Sequence, residues 1–156
     1  MHVLYVEDHE ATVLVLQHRC KTVEIDVAAS LFDAKARLLR DRFDVLLVDL
    51  NLPDSTGMAT VRALMDYDVP MVVLTGDTSN EFRAEAWRLG VADYISKKHL
   101  LDVDIEDRLK EAHANYQRIK RRYSRLSFGN LDAMKSYISC PPFATISRSN
   151  RSLVVA

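Results

Sequence analysis

Three acidic side chains stand where apolar runs end. Glu7 and Asp8 close the run HVLYV, and Asp49 follows DVLLV. Thr75 ends PMVVLT, and Lys97 follows VADYIS. If each run is a strand reaching one rim, three carboxylates, a hydroxyl and an ammonium converge there. Carboxylates so placed repel one another strongly unless a cation sits among them. Hard oxygen ligands with room for water suit Mg²⁺, octahedral at about 2.1 Å. Such a cation and Lys97 would neutralise the oxygens of a phosphoryl group. Thr75 would donate a hydrogen bond, and a carboxylate would act as nucleophile.

The surrounding elements determine whether such a rim exists. Residues 2–6 read as a buried strand and 11–21 as a helix. Residues 23–29 begin with period-two alternation and read as a second strand. Ser30 opens a helix over SLFDAKARLLR, with Asp33 three residues on in a capping-box arrangement. DVLLV is the third strand, and STGMATVRALMDY is a helix with Val61, Leu64 and Met65 on one face. PMVVLT is the fourth strand. SNEFRAEAWRLG is a helix ended by Gly90, VADYIS is the fifth strand, and a last helix starts near Leu101. Strand–helix alternation of this kind predicts a doubly wound α/β fold, a parallel sheet with helices on both faces and right-handed crossovers. The continuous apolar strands fit it, because parallel strands are buried on both sides. In such sheets ligands bind at the carboxyl ends of the strands, where the five groups lie.

Composition bounds the rest. The 156 residues suffice for one well-buried core. With 48% apolar and 28% charged residues the chain reads as soluble and globular. No apolar run approaches a membrane span, and MHVLYVED has no signal-peptide features. Cys20 and Cys140 have neither disulfide-framework nor zinc spacing, so the expectation is a reduced, cytoplasmic protein. The net charge of −1 is unevenly spread. Residues 118–156 hold eight basic residues and one acid, +7, which leaves −8 for residues 1–117.

The ordered set resembles the receiver domain of two-component response regulators (the CheY-like family) over roughly residues 1–115. Glu7 and Asp8 match its acidic pair. Asp49 matches the phosphoacceptor, with Pro53 and Gly57 four and eight residues later. Thr75, Tyr94 and Lys97 match its hydroxyl, switch aromatic and lysine, and WRLGVADYISK is close to the family's usual segment. The resemblance implies a five-stranded sheet in the order 2-1-3-4-5. It implies a Mg²⁺ site of Glu7, Asp8, Asp49 and the Asn51 backbone carbonyl, and phosphorylation of Asp49 by a histidine kinase or histidine phosphotransfer protein. It further implies a switch in which Thr75 is drawn in and Tyr94 follows, tuning of hydrolysis by Asn51 and Asp77, and a downstream protein target. That target would be read by the face of the fourth helix, fifth strand and fifth helix. The expected product is a signalling protein rather than an enzyme.

Two departures stand out. Lys98 follows Lys97 where receivers usually have proline, so a trans bond is expected there. The segment between Asp49 and Thr75 is slightly short, which implies a trimmed third helix or following loop. Residues 116–156 form a basic extension, expected to continue the last helix and add a short helix over 130–138 before Pro141 and Pro142. Ile105, Leu109, Ala112, Tyr116 and Ile119 make a helical stripe that needs a cover, either this chain or a second copy in a homodimer.

Other readings remain beside this one. A haloacid-dehalogenase-type phosphatase needs an acid two residues after its aspartate, where Asn51 stands. A pseudo-receiver would act as a phosphorylation-independent scaffold. The run RIKRRYSR could bind nucleic acid, although acids at the start of that helix and bases at its end also complement the helix dipole. Tyr94 and Trp87 could be ordinary core aromatics.

Overall fold

The computed structural model describes residues 1–76 and 79–124. Five parallel strands form the sheet: β1 (His2–Val6), β2 (Glu24–Ala28), β3 (Val45–Val48), β4 (Met71–Thr75) and β5 (Asp93–Ser96). They lie in the order β2-β1-β3-β4-β5, as expected. The helices are α1 (Glu10–Arg19), α2 (Leu31–Arg40), α3 (Met58–Leu64), α4 (Asn80–Leu89) and α5 (Ile105–Ser124).

Period-two alternation sorts the strand residues between two cores. Leu4, Val6, Leu46, Val48, Met71 and Val73 pack with Ala34 of α2, Val61 and Leu64 of α3, and Ala86 of α4. The intervening Val3, Tyr5, Val45, Leu47, Val72 and Leu74 pack with Val13 and Leu16 of α1 and with Ile105, Leu109 and Ala112 of α5. Both faces of the sheet are therefore covered, and its central strand β3 is apolar throughout. Trp87 is partly buried against the first core.

Local signals set the helix ends. The Ser30 hydroxyl accepts from the Asp33 N–H and caps α2. The Asp33 carboxylate, expected to complete a capping box, instead accepts from Arg37 Nε one turn on. Ser79 caps α4, and Gly90 ends it in the left-handed conformation with φ 89°. Helix α3 has seven residues, in keeping with the short segment that contains it.

The start of the last helix differs from expectation. Residues Lys97–His99 form a 3₁₀ turn, and α5 begins at Ile105 rather than near Leu101. Asp104 sets that start, its carboxylate accepting from the Asp107 N–H at 3.0 Å. Among the described residues no peptide bond is cis, so Lys97–Lys98 is trans.

Helix α5 continues to Ser124. Tyr116 and Ile119, beyond the fully buried part of the stripe, are half-covered. Tyr116 donates its hydroxyl to Asp68 at 2.5 Å, and Lys120 pairs with the other oxygen of the same carboxylate. The first part of the extension thus lies against its own domain, in the loop that leads to β4. The expected short helix over 130–138 and the question of its partner lie outside the described residues.

Candidate functional site

Strand register brings the acids together. Val6 stands opposite Val48, so Glu7 and Asp49 are level one residue beyond the last pair of β1 and β3. Val48 stands opposite Val73, which puts Thr75 one residue further out on β4. Thr75 pairs with Ser96 of β5, and Lys97 follows.

Glu7 and Asp49 are almost completely buried, whereas Asp8 is exposed. The Lys97 ammonium bridges the two buried acids, 2.5 Å from Glu7 Oε2 and 2.9 Å from Asp49 Oδ2. The remaining oxygens are held by the chain itself: Glu7 Oε1 accepts from the His9 N–H at 3.2 Å, and Asp49 Oδ1 from the Leu50 N–H at 2.7 Å. Burial works to lower the Lys97 pKa, but the hydrogen bonds to Glu7 and then Asp49 outweigh it and hold the ammonium above its ordinary value.

The donor set fits a divalent cation of the hard class. Glu7, Asp8 and Asp49 each offer a carboxylate oxygen, all within 4.8 Å of one another. Carboxylate oxygens gathered this closely are the ligand type that Mg²⁺ takes. Formally, three carboxylates face one ammonium, and the surplus of two negative charges matches a dication.

Of the other expected residues, Thr75 is fully buried at the rim. Tyr94 is buried in the first core, with the Arg83 guanidinium 5.5 Å above its ring centre. Asn51 is exposed and pairs with Thr56 in a two-residue antiparallel ladder just after β3. Asp77 lies outside the described residues.

The loop carrying Asn51 is anchored at both ends. Both Asp54 oxygens accept from the first amides of α2, Leu31 and Phe32, at 2.9 Å. These bonds hold the exposed Asp54 carboxyl below its usual range. At the other end Gly57 has φ 59° and ψ −141°, and a Cβ there would lie 3.4 Å from the Phe82 ring. That is ordinary contact, so glycine is needed at 57 for its conformation and not for space. Gly76, beside Thr75, has no positive φ that would require glycine.

Sequence reasoning missed Tyr5. Its ring is fully buried, and its hydroxyl donates to Glu7 Oε2 at 2.9 Å. Burial, and then the Glu7 carboxylate, push the phenol well above its usual range, so it stays a donor. The signal was available: residues two apart on a strand share a face, and Tyr5 is two before Glu7. Arg83 and Asp54 were also missed, and neither spacing nor residue type points to them.

Comparison with known proteins agrees with the geometry. The chain is 30% identical to the transcriptional regulatory protein PhoP of Escherichia coli, over 99% of this chain and 64% of that one. It thus spans less than two thirds of that relative's length. The non-phosphorylated HemR receiver domain from Leptospira biflexa is 26% identical with a TM-score of 0.64, over 72% of this chain and 93% of that one. The receiver domain of the Francisella response regulator 1452 shares the fold, with a TM-score of 0.66 at 19% identity, over 73% of this chain and 97% of that one. Residues 3–110 match the response regulator receiver domain, and with two thirds of the chain so matched it belongs to that family of two-component signalling proteins.

Proposed function

We propose that this chain accepts a phosphoryl group on Asp49 from a histidine kinase or histidine phosphotransfer protein in the cytoplasm, and passes the signal to a protein target. The observation that carries this reading is the Lys97 ammonium lying between Glu7 and Asp49, with Asp8 close by. An Asp49 carboxylate oxygen attacks phosphorus. The phosphorus–nitrogen bond of the donor breaks, and its electron pair leaves on the imidazole nitrogen. Lys97 neutralises charge on the transferring group, and the Thr75 hydroxyl donates to a phosphoryl oxygen once the group is in place. Glu7, Asp8, Asp49 and the Asn51 carbonyl would hold Mg²⁺, which when bound supplies further positive charge to the phosphoryl oxygens.

The consequence is a shift between two conformations. Thr75 moves toward the phosphoryl group, and Tyr94, under Arg83, adjusts in the space beside it. The altered surface is the α4–β5–α5 face, which presents the changed state to the target. Asn51 and Asp77 orient water for hydrolysis of the phosphoaspartate. The only chemistry assigned to the chain is this self-catalysed transfer and the hydrolysis that frees the Asp49 carboxylate and releases inorganic phosphate.

The test is uptake of phosphoryl from acetyl phosphate, followed by intact-protein mass with and without Mg²⁺. The expected result is one acid-stable, base-labile modification that requires Mg²⁺ and is lost in Asp49→Asn. Uptake that persists in Asp49→Asn, or that ignores chelation, overturns the reading.

A further inference from the structure

Glu7 is asked to serve two cations, and its two oxygens are not equivalent. Oε2 already accepts from the Tyr5 hydroxyl at 2.9 Å and from the Lys97 ammonium at 2.5 Å. A carboxylate oxygen has two lone-pair sites, so Oε2 is filled. Oε1 accepts only the 3.2 Å bond from the His9 N–H among the described contacts, and keeps a lone pair for a metal. The Tyr5 ring cannot swing away, because it is fully buried in the core between the sheet and α1 and α5. Its hydroxyl is therefore a fixed point from which the Glu7 carboxylate takes its orientation.

We infer that Tyr5 is a positioning residue for the acidic site: its hydroxyl assigns Glu7 Oε2 to Lys97 and turns Oε1 toward the divalent cation. This rests on the reading of Glu7, Asp8 and Asp49 as the cation site. Tyr5 touches neither cation nor phosphoryl group and acts only through Glu7. Without the hydroxyl the carboxylate can rotate, so both oxygens compete for Lys97 and the cation loses a pre-aimed ligand. Hydrogen bonds that orient metal ligands are commonly worth about 10–100-fold in affinity.

The experiment compares the full chain with Tyr5→Phe, Glu7→Gln and the double variant, using Mg²⁺ binding by calorimetry and melting temperature in chelator. Tyr5→Phe keeps the ring, so the core stays filled. The expected result is about 10-fold weaker Mg²⁺ binding in Tyr5→Phe, and no further effect of Tyr5→Phe once Glu7 is Gln. A second readout is the ¹³Cζ resonance of Tyr5, expected to move when Mg²⁺ is added to the wild type. Equal affinity of wild type and Tyr5→Phe overturns the inference, as does a Tyr5→Phe loss that persists in Glu7→Gln. If Tyr5→Phe melts much lower in chelator, the resonance decides: a signal unmoved by Mg²⁺ overturns the inference. Wild type that binds no Mg²⁺ sinks the cation-site reading and this inference with it, whereas Mg²⁺-binding wild type with an indifferent Tyr5→Phe sinks the inference alone.

Discussion

At the carboxyl end of the sheet, Glu7 and Asp49 share one ammonium, that of Lys97, and Asp8 adds a third carboxylate beside them. At the amino end the acids have separate donors. Asp44 accepts from the His2 N–H at 2.8 Å, Asp68 takes Tyr116 and Lys120, and Asp93 takes a two-pronged pair from Arg108 at 2.6 Å. Glu106 takes the amides of Lys21 and Thr22 in the loop entering β2. Acids of one chemical type thus do opposite work. Charge matched locally joins α5 and the loops to the sheet, whereas at the other end the negative charge is left in surplus.

The largest expected effect follows from that surplus. Mg²⁺ at about 100 times its dissociation constant should stabilise the wild type by about 2.7 kcal/mol, raising the melting temperature by on the order of 5–10 °C. Asp49→Asn and Asp8→Asn should lose most of this gain, and Arg108→Ala should keep it. Thermal scans with and without chelator measure it. A metal-independent melting temperature in wild type would remove the contrast between the two ends.

Arg108→Ala comes next and probes the matched end. The Asp93 side chain is 15% exposed and would lose both prongs of a charge-assisted pair. Because the Arg108 side chain is 38% exposed, the expected cost is set at about 2 kcal/mol, below that of a fully buried pair. Denaturant unfolding in chelator should show it. A loss under about 0.5 kcal/mol would mean the pair is too well solvated to hold α5 on β5.

A sign reversal sharpens the comparison further. In chelator Asp49→Asn should raise stability, by about 1 kcal/mol, because it removes a like charge beside Glu7 and keeps an acceptor for the Leu50 N–H. Every acid-to-amide change at the amino end should lower it. A destabilised Asp49→Asn in chelator would show that Lys97 already balances the rim.

The two ends also differed in how much the sequence disclosed. The carboxyl end was legible because Glu7, Asp49, Thr75 and Lys97 stand at or just past the ends of strand runs, and parallel register then aligns the runs. Glu7, Asp49, Thr75 and Lys97 needed only strand ends to be found. The amino end was not legible, because its pairs join residues far apart in the chain, such as Asp68 with Tyr116 and Lys21 with Glu106. The side-chain directions that make those pairs follow from how α5 lies on the sheet. The start of α5 was misplaced for a related reason. Leu100, Leu101 and Val103 look like helix residues, but Leu100 is buried in the loop, Leu101 is exposed, and Asp104 caps the helix that follows. Tyr5 reads as one more strand aromatic until the hydroxyl is seen to end on Glu7.

The smallest effect is a pH dependence at the matched end. The hydrogen bond from Lys110, then those from the Thr22 hydroxyl and amide, lower the Glu106 pKa from 4.5 to about 2. A carboxyl whose folded pKa is depressed adds stability above its unfolded pKa, and that stability is lost as pH falls toward the folded value. The Glu106 share should therefore be constant above about pH 5 and fade between about pH 4.5 and 2. Glu106→Gln cannot titrate, so the stability difference between wild type and variant should shrink over the same interval. Urea unfolding at steps from pH 6 to pH 3 reads it, with chelator present to keep the acidic rim out of the comparison. A difference that stays constant to pH 3 would mean that Glu106 acts as a neutral acceptor and not through its charge. Matched charge at the amino end would then reduce to the Asp93–Arg108 and Asp68–Lys120 pairs.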